Sequence, residues 1–235
     1  MIHDNVANPV AVELTTGPAA ELETPTRRSF LGRAALTSAG ILAAQAVVWP
    51  SAAKAQGVGS QTRLHFLDIQ QHENDHVAFL VGALGSAARP KPTFQNLLQD
   101  NFRAFYEVSQ ALENTGVGAD LGAAPAILDR GILAAAGSIA LVEARHAGWL
   151  NTLVNDRLTT NVFGQAPSFE RPLTAAEVVG LAGGFIASLN NGPAVTYSTT
   201  PSAANDIAIL NFALALEYLE AEFYNLNVPE FFRRR

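Results

Sequence analysis

The chain has 235 residues, of which 49% are apolar, and a net charge of −6 at pH 7. This length suits one domain, alone or with an extension, and the mild acidity argues against a nucleic-acid binder, which needs a basic surface. The lack of cysteine excludes disulfides, zinc–thiolate sites and thiol nucleophiles. Because alanine and leucine are frequent and strand-like alternation is scarce, the composition predicts an all-α protein.

The first 55 residues have the pattern of an export signal rather than of a folded segment. Thr26-Arg-Arg-Ser-Phe-Leu-Gly32 precedes an apolar run from Ala34 to Trp49 and a small-x-small site that ends at Ala55. This pattern resembles a twin-arginine signal, so we expect cleavage after Ala55, a domain over 56–235, and a periplasmic or secreted protein without a membrane anchor. The alternative is an uncleaved anchor, although the apolar run is shorter than the ~20 residues of a membrane span.

The first helix of the domain is predicted from Gln61 to about Gly85. Its inner, apolar stripe has three-and-four spacing and carries Glu73 and His76, a Glu-x-x-His pair. Prolines at 90 and 92 end the helix. A second stripe is predicted to face solvent, and it contains His65, Asp68, His72 and Asp75.

A second helix is predicted from about Phe94 or Gln95 to Thr115, where Gly116, Gly118 and Gly122 should break it. The spacing turns Glu113 inward and Glu107 outward. The predicted inner face consists of Leu98, Phe102, Phe105, Tyr106, Ser109 and Glu113.

A third helix, from Gly131 to about Asn155, has Glu143 and His146 on its apolar face, after a short helical turn over 125–129. A single Glu-x-x-His pair is more often a hydrogen-bonded core pair than a metal site, but a buried charge needs a partner of some kind.

An irregular connector over 159–173 leads to Thr174-Ala-Ala-Glu177, the sequence of a capping box, which predicts an extra helix to about Leu189. Asn205 or Asp206 should cap the last helix. That helix carries Glu217, Glu220 and Tyr224 close to its apolar seams.

Four long helices therefore each present an inward glutamate, and two of them add a histidine one turn on. This is the ligand set of di-iron and di-manganese carboxylate bundles. Four carboxylates balance two divalent ions, and two imidazoles favour iron or manganese over calcium. The alternative is a set of independent core glutamates, hydrogen-bonded or protonated, although fully buried glutamate is rare unless it is paired.

Several motifs resemble the ferritin-like domain of the desiccation-related protein family. They are Leu210-Asn-Phe-Ala-Leu-Ala-Leu-Glu-Tyr-Leu-Glu-Ala-Glu-Phe-Tyr224, Leu112-Glu-Asn-Thr-Gly-Val-Gly118, Glu73-x-x-His-Val-Ala-Phe-Leu80 and Val142-Glu-Ala-Arg-His-Ala-Gly148. The resemblance covers most of 61–224 and implies a ferritin-like four-helix bundle. It also implies metal ligands at Glu73, His76, Glu113, Glu143, His146 and Glu217, with Glu220 as an extra or shifting carboxylate.

In the wider ferritin-like group, the glutamate ligand of the first helix commonly has a tyrosine seven residues later. Tyr224 follows Glu217 at the same spacing. The helix that comes first in that family comes last here, as in a circular permutation. The alternative is that the last helix completes the bundle of a neighbouring chain in a homodimer.

The expected function is oxygen- or peroxide-linked redox chemistry at two iron or manganese ions, with iron slightly preferred, as in an oxidase, a peroxidase or a catalase-like enzyme. Tyr224 and Tyr106 are the candidate catalytic side chains, although packing suits Tyr106 better. The rival expectation is a non-catalytic stress or desiccation module with the same bundle, and iron storage is a third interpretation.

Overall fold

The computed structural model of the protein describes residues 59–232, so the predicted export signal lies outside the described part of the chain. Five α-helices make up most of it: α1 (Ser60–Leu84), α2 (Phe102–Ala123), α3 (Arg130–Leu153), α4 (Ala175–Ala182) and α5 (Ala203–Phe232). Short 3₁₀ turns cover Gly85–Ala87, Ala124–Ala126 and Gly183–Phe185. The prediction of an all-α four-helix bundle with an extra helix before the last one is confirmed.

The four long helices form two antiparallel pairs. In the first pair, α1 and α5 pack in opposite directions, because Arg63 donates to the carbonyl of Phe232 at 3.2 Å and Arg89 to that of Asn211 at 3.1 Å. In the second pair, α2 packs on α3, where Asn114 donates to Asn151 at 3.0 Å. The helix α5 thus completes the bundle of its own chain.

Helices α1 and α2 run parallel, so the segment over 85–101 crosses the length of the bundle. Within it lies β1 (Thr93–Phe94), which pairs antiparallel with β2 (Ile186–Ser188) from the connector after α4. The two strands fasten both long connections to each other. None of the helices among residues 59–232 is both long and apolar enough to span a bilayer.

Of three apolar clusters among residues 59–232, two lie on either side of a polar layer in the bundle. One is rich in aromatic side chains and includes Phe66, Phe105 and Tyr224, all fully buried. The other includes Leu80 and Leu214. Burial of each such side chain stabilises the fold by roughly 1.5–3 kcal/mol, and the glutamates of the polar layer are held between these clusters.

The bounds of α2 correct the sequence prediction. The helix begins at Phe102, where the side chain of Asn101 caps it by accepting from the Ala104 amide, and it continues past Thr115 to Ala123. Leu98 precedes the helix and is 60% exposed, so its predicted inward position is wrong. The three glycines do not break the helix.

Close approach explains those glycines. A Cβ on Gly118 would lie 2.6 Å from the side chain of Leu173, and one on Gly122 would lie 1.9 Å from the Leu173 carbonyl oxygen. The Leu173 amide also donates to the Gly118 carbonyl at 2.8 Å. Glycine here lets the connector press against the helix, which outweighs its low helix propensity.

Two other element ends differ from their predicted positions. The capping box of Thr174 and Glu177 is confirmed, but α4 ends at Ala182 because residues 186–188 pair as β2. The last helix begins at Ala203, before the predicted caps. Asp206 accepts instead from the amides of Leu128 and Asp129, at 2.8 and 3.0 Å, and so fastens α5 to the start of α3.

Candidate metal centre

All four long helices bring carboxylates to the polar layer between the two apolar clusters. Glu73 on α1 and Glu113 on α2 are fully buried, and Glu143 on α3 and Glu217 on α5 are 1% and 6% exposed. The predicted ligands meet there as two groups, Glu73, Glu113, Glu143 and His146, and Glu73, His76, Glu143 and Glu217. Within each group the ligand atoms all lie within 4.8 Å of one another.

Each histidine belongs to one half of this centre. We call Glu113 with His146 the first half-site, because Nδ1 of His146 lies 3.1 Å from Oε2 of Glu113. We call Glu217 with His76 the second half-site, because Nδ1 of His76 lies 3.3 Å from Oε2 of Glu217. Glu217 therefore meets the histidine of α1 rather than that of α3.

Glu73 and Glu143 connect the two half-sites. Oε1 of Glu73 lies 3.2 Å from Nδ1 of His146, while its Oε2 lies 3.3 Å from Nδ1 of His76. Oε1 of Glu143 lies 3.2 Å from His76 and 4.0 Å from His146. A carboxylate that faces both half-sites is the geometry of a ligand that bridges two ions.

The residues fit a pair of divalent cations. Within residues 59–232, four buried carboxylate oxygens make no hydrogen bond of good geometry: Oε1 of Glu73, both oxygens of Glu143 and Oε2 of Glu217. Three of them have an imidazole nitrogen at 3.2–3.3 Å. Buried carboxylate oxygens without partners are costly in a protein interior. Cations among them would supply the partners that the two imidazoles supply only in part, and two divalent ions would balance the four carboxylates.

The pKa values show how strongly these groups act on one another. Burial raises the pKa of Glu143 to about 7, and the charge of Glu113 adds to this. Burial likewise raises the pKa values of Glu217 and Glu220 well above their usual range. Charge repulsion among buried carboxylates thus favours their neutral forms when no cation is present.

The histidines respond in the opposite sense. Burial alone would lower the pKa of His146, but its contacts with Glu113 and Glu73 outweigh that and raise the pKa to about 11. The pKa of His76 is also raised, because Glu143, Glu217 and Glu73 surround its Nδ1. The metal-free centre therefore holds protons where a metal centre would hold cations.

The two predicted tyrosines have different surroundings. The hydroxyl of Tyr224 donates to Oε1 of Glu113 at 2.7 Å, and the side chain is fully buried. Tyr106 stacks on Phe66, with ring centroids 5.3 Å apart, two helical turns before Glu113. Only Tyr224 is therefore in direct contact with a predicted ligand.

Glu220 lies beside the ligands without belonging to either ligand group. Its carboxylate and that of Glu143 both face Gly116, where an added Cβ would lie 3.5 Å from Oε1 of Glu220 and 3.2 Å from Oε2 of Glu143. Gly116 therefore provides the room in which these two carboxylates lie.

Sequence reasoning missed two polar residues of this region. His72 was predicted to face solvent only, but its Nδ1 lies 2.9 Å from Nε2 of His146. Asp120 lies on the same helix face as Glu113 and Gly116, at a spacing of seven and four, and burial raises its pKa well above the usual range. Helical spacing places Asp120 on the same face as Glu113, but the helix was predicted to end at Thr115, before Asp120.

A four-helix bundle whose helices each turn a carboxylate inward, two of them with Glu-x-x-His, has the same set of side chains as the dinuclear carboxylate bundles. In agreement, the family model described as ferritin-like domain matches residues 24–156 and 205–232. The match covers more than half of the chain, which therefore belongs to the ferritin-like domain family. No curated protein and no solved structure matches the chain significantly.

Proposed function

We propose that this chain is an exported ferritin-like protein whose buried Glu and His side chains hold two iron or manganese ions, with iron slightly preferred. The observation that carries the proposal is that Glu73 and Glu143 belong to both ligand groups. Such a pair of ions, when bound, supplies redox chemistry with dioxygen or peroxide as the substrate. Oxygen and nitrogen ligands suit both metals.

The side chains of this protein have distinct parts in that chemistry. Glu113 with His146 and Glu217 with His76 would each hold one ion, and Glu73 and Glu143, which belong to both ligand groups, would be shared between them. The Tyr224 hydroxyl orients Glu113 through their hydrogen bond. The apolar clusters on both sides exclude bulk water from the carboxylates, which strengthens every charge interaction among them.

The first test is metal content after anaerobic reconstitution with ferrous iron and, separately, with manganese. We expect about two ions per chain for the wild-type domain over 56–235. Removal of a bridging carboxylate in Glu143→Ala should abolish most of the binding, and the isosteric Glu143→Gln should do the same without a cavity. Glu107→Ala is the matched control, because Glu107 is on the outer face of α2 and pairs with Arg103.

Circular dichroism of each metal-free variant separates loss of ligands from loss of fold. Metal-free wild-type protein after both reconstitutions would contradict the proposal. Full metal content in Glu143→Gln would contradict the bridging role.

The rival is a stress or desiccation module in which the same buried groups serve the fold. The observation that favours it is the hydrogen-bonded chain from Tyr224 through Glu113 to His146, which links three helices without a metal. Consumption of oxygen or peroxide by the metal-loaded protein supports the enzyme. An equal melting temperature with and without metal, together with no turnover, supports the module.

We further propose membership of the desiccation-related branch, with a circularly permuted helix order. The start of α1 and the end of α5 are adjacent, since Arg63 contacts Phe232. In an unpermuted order, a short hairpin between these two helices would occupy that place, which supports the proposal.

The proposed location is the periplasm or the exterior, reached through the twin-arginine route, which is associated with proteins that are exported already folded. A domain that must acquire metal among buried ligands suits such a route. No nucleic-acid or membrane partner is proposed for the mature domain.

A further inference from the structure

His146 faces protein groups through both of its ring nitrogens. Nδ1 lies 3.1 Å from Oε2 of Glu113 and 3.2 Å from Oε1 of Glu73. On the other side, Nε2 lies 2.9 Å from Nδ1 of His72. The two imidazole rings are nearly parallel, with an interplanar angle of 7° and centroids 5.2 Å apart.

With a metal ion bound, this geometry would set the chemical roles of the four nitrogens. A metal ion among the carboxylates would bind Nδ1 of His146, so the neutral ring must carry its proton on Nε2. That N–H would then donate to Nδ1 of His72 across the 2.9 Å contact, and the proton of a neutral His72 would be on its own Nε2. The tautomers of both rings are therefore set by one hydrogen bond.

We infer that His72 is a positioning residue of the first half-site and controls how tightly the ion held by Glu113 and His146 is bound. The inference rests on the proposed function. A hydrogen bond to the outer nitrogen of a ligand histidine fixes the ring orientation and raises the basicity of the metal-binding nitrogen. His72 is the hydrogen-bond partner of the outer nitrogen of His146. It is exposed on α1, whereas His146 is 7% exposed.

The second half-site has a different support. Three carboxylates surround Nδ1 of His76, at 3.2–3.3 Å, and they come from three helices. His72 contacts the ring of His146 and not this cluster. Loss of the His72 imidazole should therefore weaken one of the two ions and leave the other as it is.

The test is an anaerobic calorimetric titration of the metal-free domain with ferrous iron, repeated with manganese. Wild-type protein should bind about two ions per chain. His72→Ala should bind one ion with wild-type affinity and the other about 10–100-fold more weakly. His72→Asn places an amide oxygen near the position of Nδ1, and this acceptor should restore most of the lost affinity.

The matched control is His65→Ala. His65 is on the same stripe of α1, seven residues earlier, and its ring packs edge-on against Trp149 at 5.0 Å rather than against a ligand. Its removal should leave both affinities unchanged. Circular dichroism should show the same fold for all four proteins.

A spectroscopic readout separates positioning from a general loss of stability. At one equivalent of manganese, the electron paramagnetic resonance spectrum of His72→Ala should show isolated ions, and signals of coupled pairs should appear only at higher metal concentration. Unchanged affinities in His72→Ala, or equal weakening of both ions, would overturn the inference while leaving the proposed function intact. Wild-type protein that binds no metal would instead overturn the proposed function itself.

Discussion

The buried bond between Tyr224 and Glu113 joins the aromatic cluster to the ligands. It is 2.7 Å long and connects α5 to α2. Burial raises the pKa of Tyr224 well above its usual range, and the charge of Glu113 adds to this, so the hydroxyl keeps its proton and remains a donor. The orientation of one carboxylate in the first half-site therefore depends on a neutral phenol from the opposite helix pair.

Tyr224→Phe tests this bond at the scale of a single atom. The ring stays in its cluster, but Glu113 loses a donor in a fully buried position. We expect the free energy of unfolding of the metal-free domain to fall by about 1–3 kcal/mol in urea denaturation.

The control is Tyr106→Phe, which removes a hydroxyl from the same aromatic cluster away from the carboxylates. It should change the unfolding free energy by less than about 0.5 kcal/mol. Equal losses in the two variants would mean that the Tyr224 bond contributes nothing specific.

Helical spacing was sufficient to find five of the six side chains of the two ligand groups, and for the last helix it left Glu217 and Glu220 open until the family resemblance favoured Glu217. Each lies on an apolar stripe, where a buried charged group needs a partner. A charged residue at such a position is therefore a candidate ligand. His72 could not be found in this way, because its spacing places it on the second stripe, which is predicted to face solvent. Only the packing of α3 against α1 reveals that an exposed histidine meets the outer nitrogen of His146.

Helix α2 shows the limit of sequence rules at the scale of an element. Gly116, Gly118 and Gly122 predict a break when propensity alone is considered. In the structure the helix runs through all three: Gly116 gives room to carboxylates on one face, and Gly118 and Gly122 admit the connector at Leu173 on another. The pairing of β1 with β2, which shortens α4, likewise depends on contacts between segments far apart in sequence.

Gly122→Ala tests the close approach of the connector to α2. The new Cβ would lie 1.9 Å from the Leu173 carbonyl oxygen, so backbone must move. We expect a loss of about 1–3 kcal/mol or more in the free energy of unfolding, measured by urea denaturation.

Gly137→Ala is the matched helical control. Nothing lies within 4 Å of the Cβ position at Gly137, in the exposed interior of α3. Alanine there should stabilise the domain by roughly 0.5–1 kcal/mol. A Gly122→Ala variant as stable as wild type would show that the connector is not held against the helix.

The whole domain encloses more acidic groups than a metal-free interior can keep ionised. Two apolar clusters lie on either side of the centre, and the four helices that contribute ligands also form the core. Metal binding and folding are consequently linked, because the same side chains determine both.

This linkage predicts how the stability of the metal-free domain depends on pH. The folded pKa of Glu143 is raised from 4.5 to about 7, so the folded state binds more protons than the unfolded chain between these values. The contribution of Glu143 is full below about pH 4.5 and is lost as pH rises through 7. The difference corresponds to roughly 3 kcal/mol, and His146, with a pKa raised from 6.5 to about 11, extends the loss to higher pH.

The melting temperature of the metal-free domain should therefore fall from pH 5 to pH 8. Metal replaces the protons of the centre, so the metal-saturated domain should lose less over the same range, and the difference between the two forms should widen with pH. In Glu143→Gln the group no longer titrates, and the fall should be shallower because one raised carboxyl is gone. Thermal unfolding followed by circular dichroism at several pH values measures all three. A metal-free melting temperature that rises from pH 5 to 8 would contradict the sign, and an unchanged slope in Glu143→Gln would contradict the assignment to that carboxyl.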